Sequence, residues 1–343
     1  MKKLQSFFAD ERLLERFSAK WAVIDTKWRW ISRALMIGAF VYIGILMIRS
    51  WPQLKTVSWK ELIPVILLAL GLYLLSLLMQ IVVWLHMLSF QHKVGLRDVQ
   101  IYTQTLVMRR IPGGVWHWIG RSSSYRINTE VTAKKVFVAN LLEWGLIIIA
   151  AFGVYGLFAS NIAAAFRVIL IVLSIVLGIM LAITWFPKSY GHVRRITVGL
   201  SWMLAYAVSW LLGGFILYLF MSAGDHSKIT IGQTLAIWAL AGGISTITVF
   251  APSGFGIREL SLAILLSPFA PVSFIILVAL LLRLTFTVAD VIWGSSGWLV
   301  SQQALNYQKR HLGPSVADEQ AKNHNVSACE ESSIARVYRS RDD

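Results

Sequence analysis

Six long apolar runs, at 31–48, 62–88, 136–158, 163–186, 197–221 and 272–300, set the terms for any fold this chain can adopt. A hydrocarbon layer about 30 Å thick takes about 20 apolar residues per helical crossing, and in lipid the backbone of each run must satisfy its own hydrogen bonds as helix. The chain around them is 57% hydrophobic over 343 residues, with a mean hydropathy of +0.64, outside the balance of water-soluble domains. The predicted class is therefore all-α: a polytopic helical membrane protein with about six full spans. The run at 31–48 follows some thirty residues and has no small-residue cleavage site in IGILMIRSWP, so it reads as a retained span.

Formal charge is +15, from 32 Lys and Arg against 17 Asp and Glu. In a soluble protein that excess would suggest nucleic acid; here its distribution follows topology instead. The arm at 1–30 carries Lys2, Lys3, Arg12, Arg16, Lys20, Lys27 and Arg29, and Lys93, Arg97, Arg109, Arg110, Arg121, Arg126, Lys134 and Lys135 follow the second run. Lys188, Arg194 and Arg195 mark another basic connection, whereas 159–162 has no charge and 222–230 has one of each sign. The positive-inside rule places both termini and the basic connections in the cytoplasm, although Arg49, Lys55 and Lys60 run against it. The expected location is a cell membrane, inner or plasma, with anionic lipid rather than nucleic acid as partner.

Cys329 is the only cysteine, which excludes an intrachain disulfide or a thiolate metal cluster. The seven histidines show no ligand spacing, and His117, between Trp116 and Trp118, reads as interfacial. No Walker loop or dinucleotide fingerprint is present, so no cofactor is expected. The NVS triplet at Asn325 falls on the predicted cytoplasmic side. The tail at 300–343, with balanced charges, reads as a cytoplasmic extension.

Two segments break the pattern. Residues 98–125 contain Arg109, Arg110, Pro112, Gly113 and Gly114; residues 230–266 contain Pro252, Gly254, Gly256, Arg258 and Glu259. Proline removes an N–H and glycine admits backbone angles other residues avoid, so both segments read as short helices around an interruption. Such backbone must be buried in protein or line a wet cavity. The first break is approached from the cytoplasm and the second from outside. If each is a re-entrant hairpin, the two enter from opposite faces and their breaks approach one another; if the second crosses twice, the chain has eight crossings.

Charges within the runs mark the candidate site. Glu143 and Arg283 fall inside apolar spans, where charge faces a partner or a water-filled cavity. Arg283 has Glu259, Glu143 and Asp290 as possible counter-ions, Asp290 lying two turns along the same helix. Glu259 suits the first turn of a helix after the second break, while Arg258 there opposes the helix dipole and calls for a carboxylate, a phosphate or water. Arginine donates in parallel to two phosphate oxygens, so Arg110, Arg121, Arg258 and Arg283 are candidate phosphate contacts. Arg167, near the end of its span, reads as snorkelling.

Taken in order, RRIPGGVW at 109–116, Arg121, Glu143, PSGFGIRE at 252–259 and Arg283 resemble the membrane domain of lysylphosphatidylglycerol synthetases and their stand-alone flippase-like relatives. Ser253 stands where the usual motif has its first glycine. The resemblance spans 29–299 and implies a flippase-like transmembrane domain at 31–299 handling a lipid or lipid-linked intermediate. The 44 residues from Val300 have no room for the aminoacyl-transferase domain of the larger relatives.

The leading expectation is transbilayer movement of a phosphate-bearing phospholipid or polyprenyl-phosphate-linked intermediate. Arg110, Arg121, Glu143, Arg258, Glu259 and Arg283 would bind or orient the headgroup, and Pro112, Gly113, Gly114, Pro252, Gly254 and Gly256 would supply hinges and close backbone approach. Two alternatives stand beside it: a non-transporting assembly factor partnered with a lipid-synthesis enzyme, and a membrane transferase using Glu143 or Glu259 as acid or base. No paired-acid or metal motif supports the transferase, so an enzyme is not the expectation.

Overall fold

The structure, a computed structural model, describes residues 59–110, 116–128, 131–186, 190–223, 229–248 and 257–312. The basic arm at 1–30, the apolar run at 31–48 and the tail beyond 312 lie outside the described residues. So do Pro112, Gly113, Gly114, Pro252, Gly254 and Gly256.

The described residues are all-α. Nine α-helices follow in order: α1 (Trp59–Ser89), α2 (Leu96–Leu106), α3 (Trp116–Asn128), α4 (Ala133–Phe158), α5 (Ala164–Trp185), α6 (His192–Ser222), α7 (Ile231–Ile247), α8 (Ile257–Leu266) and α9 (Val272–Leu312). A single 3₁₀ turn, Val107–Arg110, continues α2. Five of them, α1, α4, α5, α6 and α9, are long and apolar enough to cross a membrane. These match the apolar runs, with α9 extending to Leu312, twelve residues past the end of its run.

The two interrupted segments are pairs of short helices. At 1.5 Å per residue, α2 (11 residues) and α3 (13 residues) span roughly 16 and 20 Å, and α7 (17 residues) and α8 (10 residues) roughly 25 and 15 Å. Local chemistry sets their starts. Asp98 accepts the Gly95 N–H at 2.8 Å and opens α2, and a reciprocal Thr230–Gln233 box opens α7. Thr132 accepts from the Lys135 N–H to start α4.

Lipid tails are as apolar as leucine, so helices in a membrane associate through close packing and hydrogen bonds rather than hydrophobic burial. The α6–α7 seam is built that way. Trp210 of α6 lies over Gly242 of α7, and Trp238 of α7 lies over Gly213 of α6; a Cβ on either glycine would fall within 2.2 Å of the facing indole. Beside them a Cβ on Gly214 would sit 2.8 Å from the Leu235 Cα, which is backbone and cannot swing aside. Gly214→Ala is therefore expected to destabilise by about 1–2 kcal/mol net of its better helix propensity. Thermal unfolding in detergent checks this against Gly71→Ala, where nothing lies within 4 Å and no loss is expected.

Indole N–H groups do further work at helix ends, whose last four carbonyls have no partner within the helix. Trp185 donates to the Met87 carbonyl at 2.9 Å near the end of α1, and Trp144 to the Thr246 carbonyl at 3.1 Å near the end of α7. Arg167 does the same for α4. Instead of snorkelling, it donates to the Gly156 and Leu157 carbonyls at 3.1 and 2.6 Å.

The packing of the helices has an internal order. α1–α4 and α6–α9 are two sets of four, each a long helix, a broken pair and another long helix, with α5 between them. α2 packs on α9 as α7 packs on α4; α3 packs on α4 as α8 packs on α9; and α1 and α6 pack on each other. Setting aside α5 and the 3₁₀ turn, the main helix contacts among the described residues pair off in the same way: α1–α2 with α6–α7, α2–α3 with α7–α8, α1–α9 with α6–α4, and α1–α4 with α6–α9.

Candidate functional site

Both interruptions deliver their flanking residues to one cavity of about 300 Å³. Arg109, His117 and Trp118 come from either side of the first break, and Ser245, Thr246 and Arg258 from either side of the second. The long helices close the walls with residues at helical spacing: Tyr73, Ser76 and Gln80 from α1, and Tyr206, Ser209, Trp210 and Gly213 from α6. α4 adds Glu143, Trp144 and Ile147; Trp238 and Phe286 complete the wall from α7 and α9. His117 is thus a wall residue of this cavity.

Glu143 is the hub of one side. It is 2% exposed. One oxygen accepts the Tyr102 hydroxyl at 2.7 Å, with the Arg109 guanidinium at 3.6 Å, and the other accepts from Arg121 at 2.5 Å. Arg121 has no exposed surface. It also donates to Thr105 and Asn140, both at 3.1 Å, and lies over the Tyr102 ring at 3.9 Å. Sequence reading placed Arg121 among phosphate contacts; the fold places it behind the cavity wall, in the network that fixes Glu143.

Arg109, which the sequence reading left out of its candidates, is on the wall itself. It donates to Gln80 at 3.0 Å and to the Tyr102 hydroxyl at 2.9 Å. Its neighbour Arg110 ends the 3₁₀ turn, and its side chain lies outside what the structure describes. Across the cavity, the Arg258 guanidinium stacks 3.7 Å from the Trp238 ring centroid. Glu259 and Arg283 form an ion pair at 2.5 Å joining α8 to α9, and neither borders the cavity.

The two ion pairs occupy corresponding places in the two sets of helices. Arg121–Glu143 ties α3 to α4, and Glu259–Arg283 ties α8 to α9, with the signs exchanged. Their surroundings differ: the first pair is buried, while the side chains of Glu259 and Arg283 are 34% and 22% exposed.

The site therefore combines two wall arginines, a carboxylate already hydrogen-bonded, neutral hydroxyl and amide groups, and aromatic faces. That set suits a small anionic group with uncharged polar substituents. Among the described residues no group of three His, Cys, Asp or Glu is placed to hold a metal ion.

The chain is, by fold, a multi-helix protein whose described residues include five helices long and apolar enough to span a membrane and two pairs of short helices that share a cavity. No family model matches it, and no curated protein matches it.

Proposed function

We propose that this protein moves a phosphate-bearing lipid, either a phospholipid or a polyprenyl-phosphate-linked intermediate, between the leaflets of a cell membrane. The observation that carries this reading is the shared cavity: residues flanking both interruptions line it, and it holds Arg109 and Arg258. Carrying a phosphate through hydrocarbon without compensating partners is prohibitive, and a cavity that offers arginine donors lowers that cost. At about 300 Å³ the chamber lies at the small end of ligand pockets, which run from about 300 to 1,000 Å³. It has room for a headgroup and leaves the acyl chains in the surrounding lipid.

In this reading α2–α3 and α7–α8 are re-entrant hairpins. With α2–α3 returning to the face it left, the single crossings of α1, α4 and α5 put α6 opposite in direction to α1. The two matching sets of helices are then inverted relative to one another, the arrangement that lets a central site open alternately to either side. The basic connections support a cytoplasmic side for both termini. A transferase role is disfavoured because both Glu143 oxygens are already engaged by Tyr102 and Arg121.

The test is leaflet accessibility of fluorescent phosphatidylglycerol and of a polyprenyl-phosphate carrier in proteoliposomes holding purified protein. Equilibration of one of them well above the rate in protein-free vesicles is expected. No movement of either by folded protein would overturn the reading and favour the assembly role.

A further inference from the structure

We infer that the cavity takes a phosphate ester whose second substituent is an uncharged polyhydroxyl group, a glycerol or a sugar, and that it discriminates against ammonium-bearing headgroups. This rests on the phosphate reading above and adds the chemistry of the rest of the headgroup.

Charge comes first. Arg109 and Arg258 border the cavity and Arg121 lies behind it, against Glu143 on the wall and Asp290, which is buried on α9 within electrostatic reach of Arg109. Among the described residues, three arginines against two carboxylates suit a singly charged phosphodiester. An ammonium group would add a further cation beside two wall arginines, and the wall carboxylate is already engaged. Glu143 carries the Tyr102 hydroxyl and the Arg121 guanidinium, with Arg109 beside it. The Trp238 face, one of the aromatic surfaces bordering the cavity, already holds Arg258 at 3.7 Å.

The neutral wall points the same way. Ser76, Gln80, Ser209, Ser245 and Thr246 all border the cavity. The hydroxyls of Ser209 and Thr246 donate to their own helices, at the Ala205 and Gly242 carbonyls (3.1 and 2.7 Å), so their oxygens face a ligand as acceptors. Acceptors call for donors, and a polyol supplies them without adding positive charge beside the arginines. The Trp144 and Trp210 N–H groups are spent on the Thr246 and Ile147 carbonyls, so these rings meet a ligand as apolar surface. Flat apolar faces alternating with hydroxyl acceptors fit a polyol, which presents C–H and O–H groups side by side. Tyr206, 1% exposed and bordering the cavity, has a hydroxyl with no hydrogen-bond partner among the described residues.

The experiment measures binding rather than movement. Purified full-length protein in detergent is titrated with four short-chain probes: dihexanoyl phosphatidylglycerol, the hexyl phosphodiester of glucose, dihexanoyl phosphatidylethanolamine and dihexanoyl phosphatidic acid. Rise of the thermal midpoint with ligand concentration is the readout. Half-saturation by the glycerol or the sugar ester is expected at least about tenfold below that of the ethanolamine lipid, because its ammonium would sit beside two wall arginines with the wall carboxylate already engaged. The tighter of the two names the source of the polyol. A Ser209→Ala, Ser245→Ala double variant is expected to weaken that ligand about 3- to 10-fold while leaving phosphatidic acid unchanged. Ethanolamine lipid binding as tightly as both polyol esters overturns this inference and leaves the phosphate reading standing. Failure of all four, phosphatidic acid included, overturns both.

Discussion

Glu143→Ala is expected to cost roughly 3–5 kcal/mol, enough to leave little folded protein, because it strands Arg121 as a buried charge without its counter-ion. Arg121 has no exposed surface, and its remaining hydrogen bonds go to the neutral groups of Thr105 and Asn140. Yield of monodisperse protein and the thermal midpoint in detergent are the readouts. A buried ion pair replaced on both sides by apolar residues is often tolerated, so Arg121→Met with Glu143→Leu is expected to recover much of the loss. Glu143→Ala as stable as the unaltered chain would contradict the network described here.

Arg258→Ala is expected to slow lipid movement about 10- to 100-fold in proteoliposomes at matched incorporation. One charge-assisted hydrogen bond to a phosphate is worth about 1.5–3 kcal/mol, and each 1.4 kcal/mol is a factor of ten. Arg109→Ala would also remove the bonds to Gln80 and Tyr102. Arg258→Lys keeps the charge without the planar fork and is expected to fall between the two. A full rate for Arg258→Ala in protein with an unchanged thermal midpoint would remove Arg258 from the path.

The five long helices were legible because about twenty apolar residues in a row admit little else, and the two interruptions because PGG and PSGFG cannot continue a helix. The pairing of charges was legible only in part: Glu259 is one of three counter-ions the sequence offers Arg283, while nothing in it joins Arg121 to Glu143. Arg121 and Glu143 are 22 residues apart and Glu259 and Arg283 are 24 apart, each pair on different helices. Their meeting depends on how α3 lies on α4 and α8 on α9. Arg109 carries no signal in the sequence that sets it apart from Arg110, since two adjacent arginines before a break look alike. A signal for the walls did exist. Tyr206, Ser209, Trp210 and Gly213 recur at helical spacing within an apolar span, as do Tyr73, Ser76 and Gln80, and such a stripe among aliphatic residues marks a polar face. The correspondence between α1–α4 and α6–α9 leaves little trace in sequence because its one charged landmark has the signs exchanged.

Occlusion of the cavity tests the central claim most directly. Ser245→Cys on a Cys329→Ser background carries a single thiol, on the cavity wall. The measurement is lipid movement in proteoliposomes before treatment with a bulky methanethiosulfonate, after it, and after reduction. Movement that stops on modification and returns with reductant is the expected result. Movement at an unchanged rate in fully modified protein would place the headgroup somewhere other than this cavity and contradict the account.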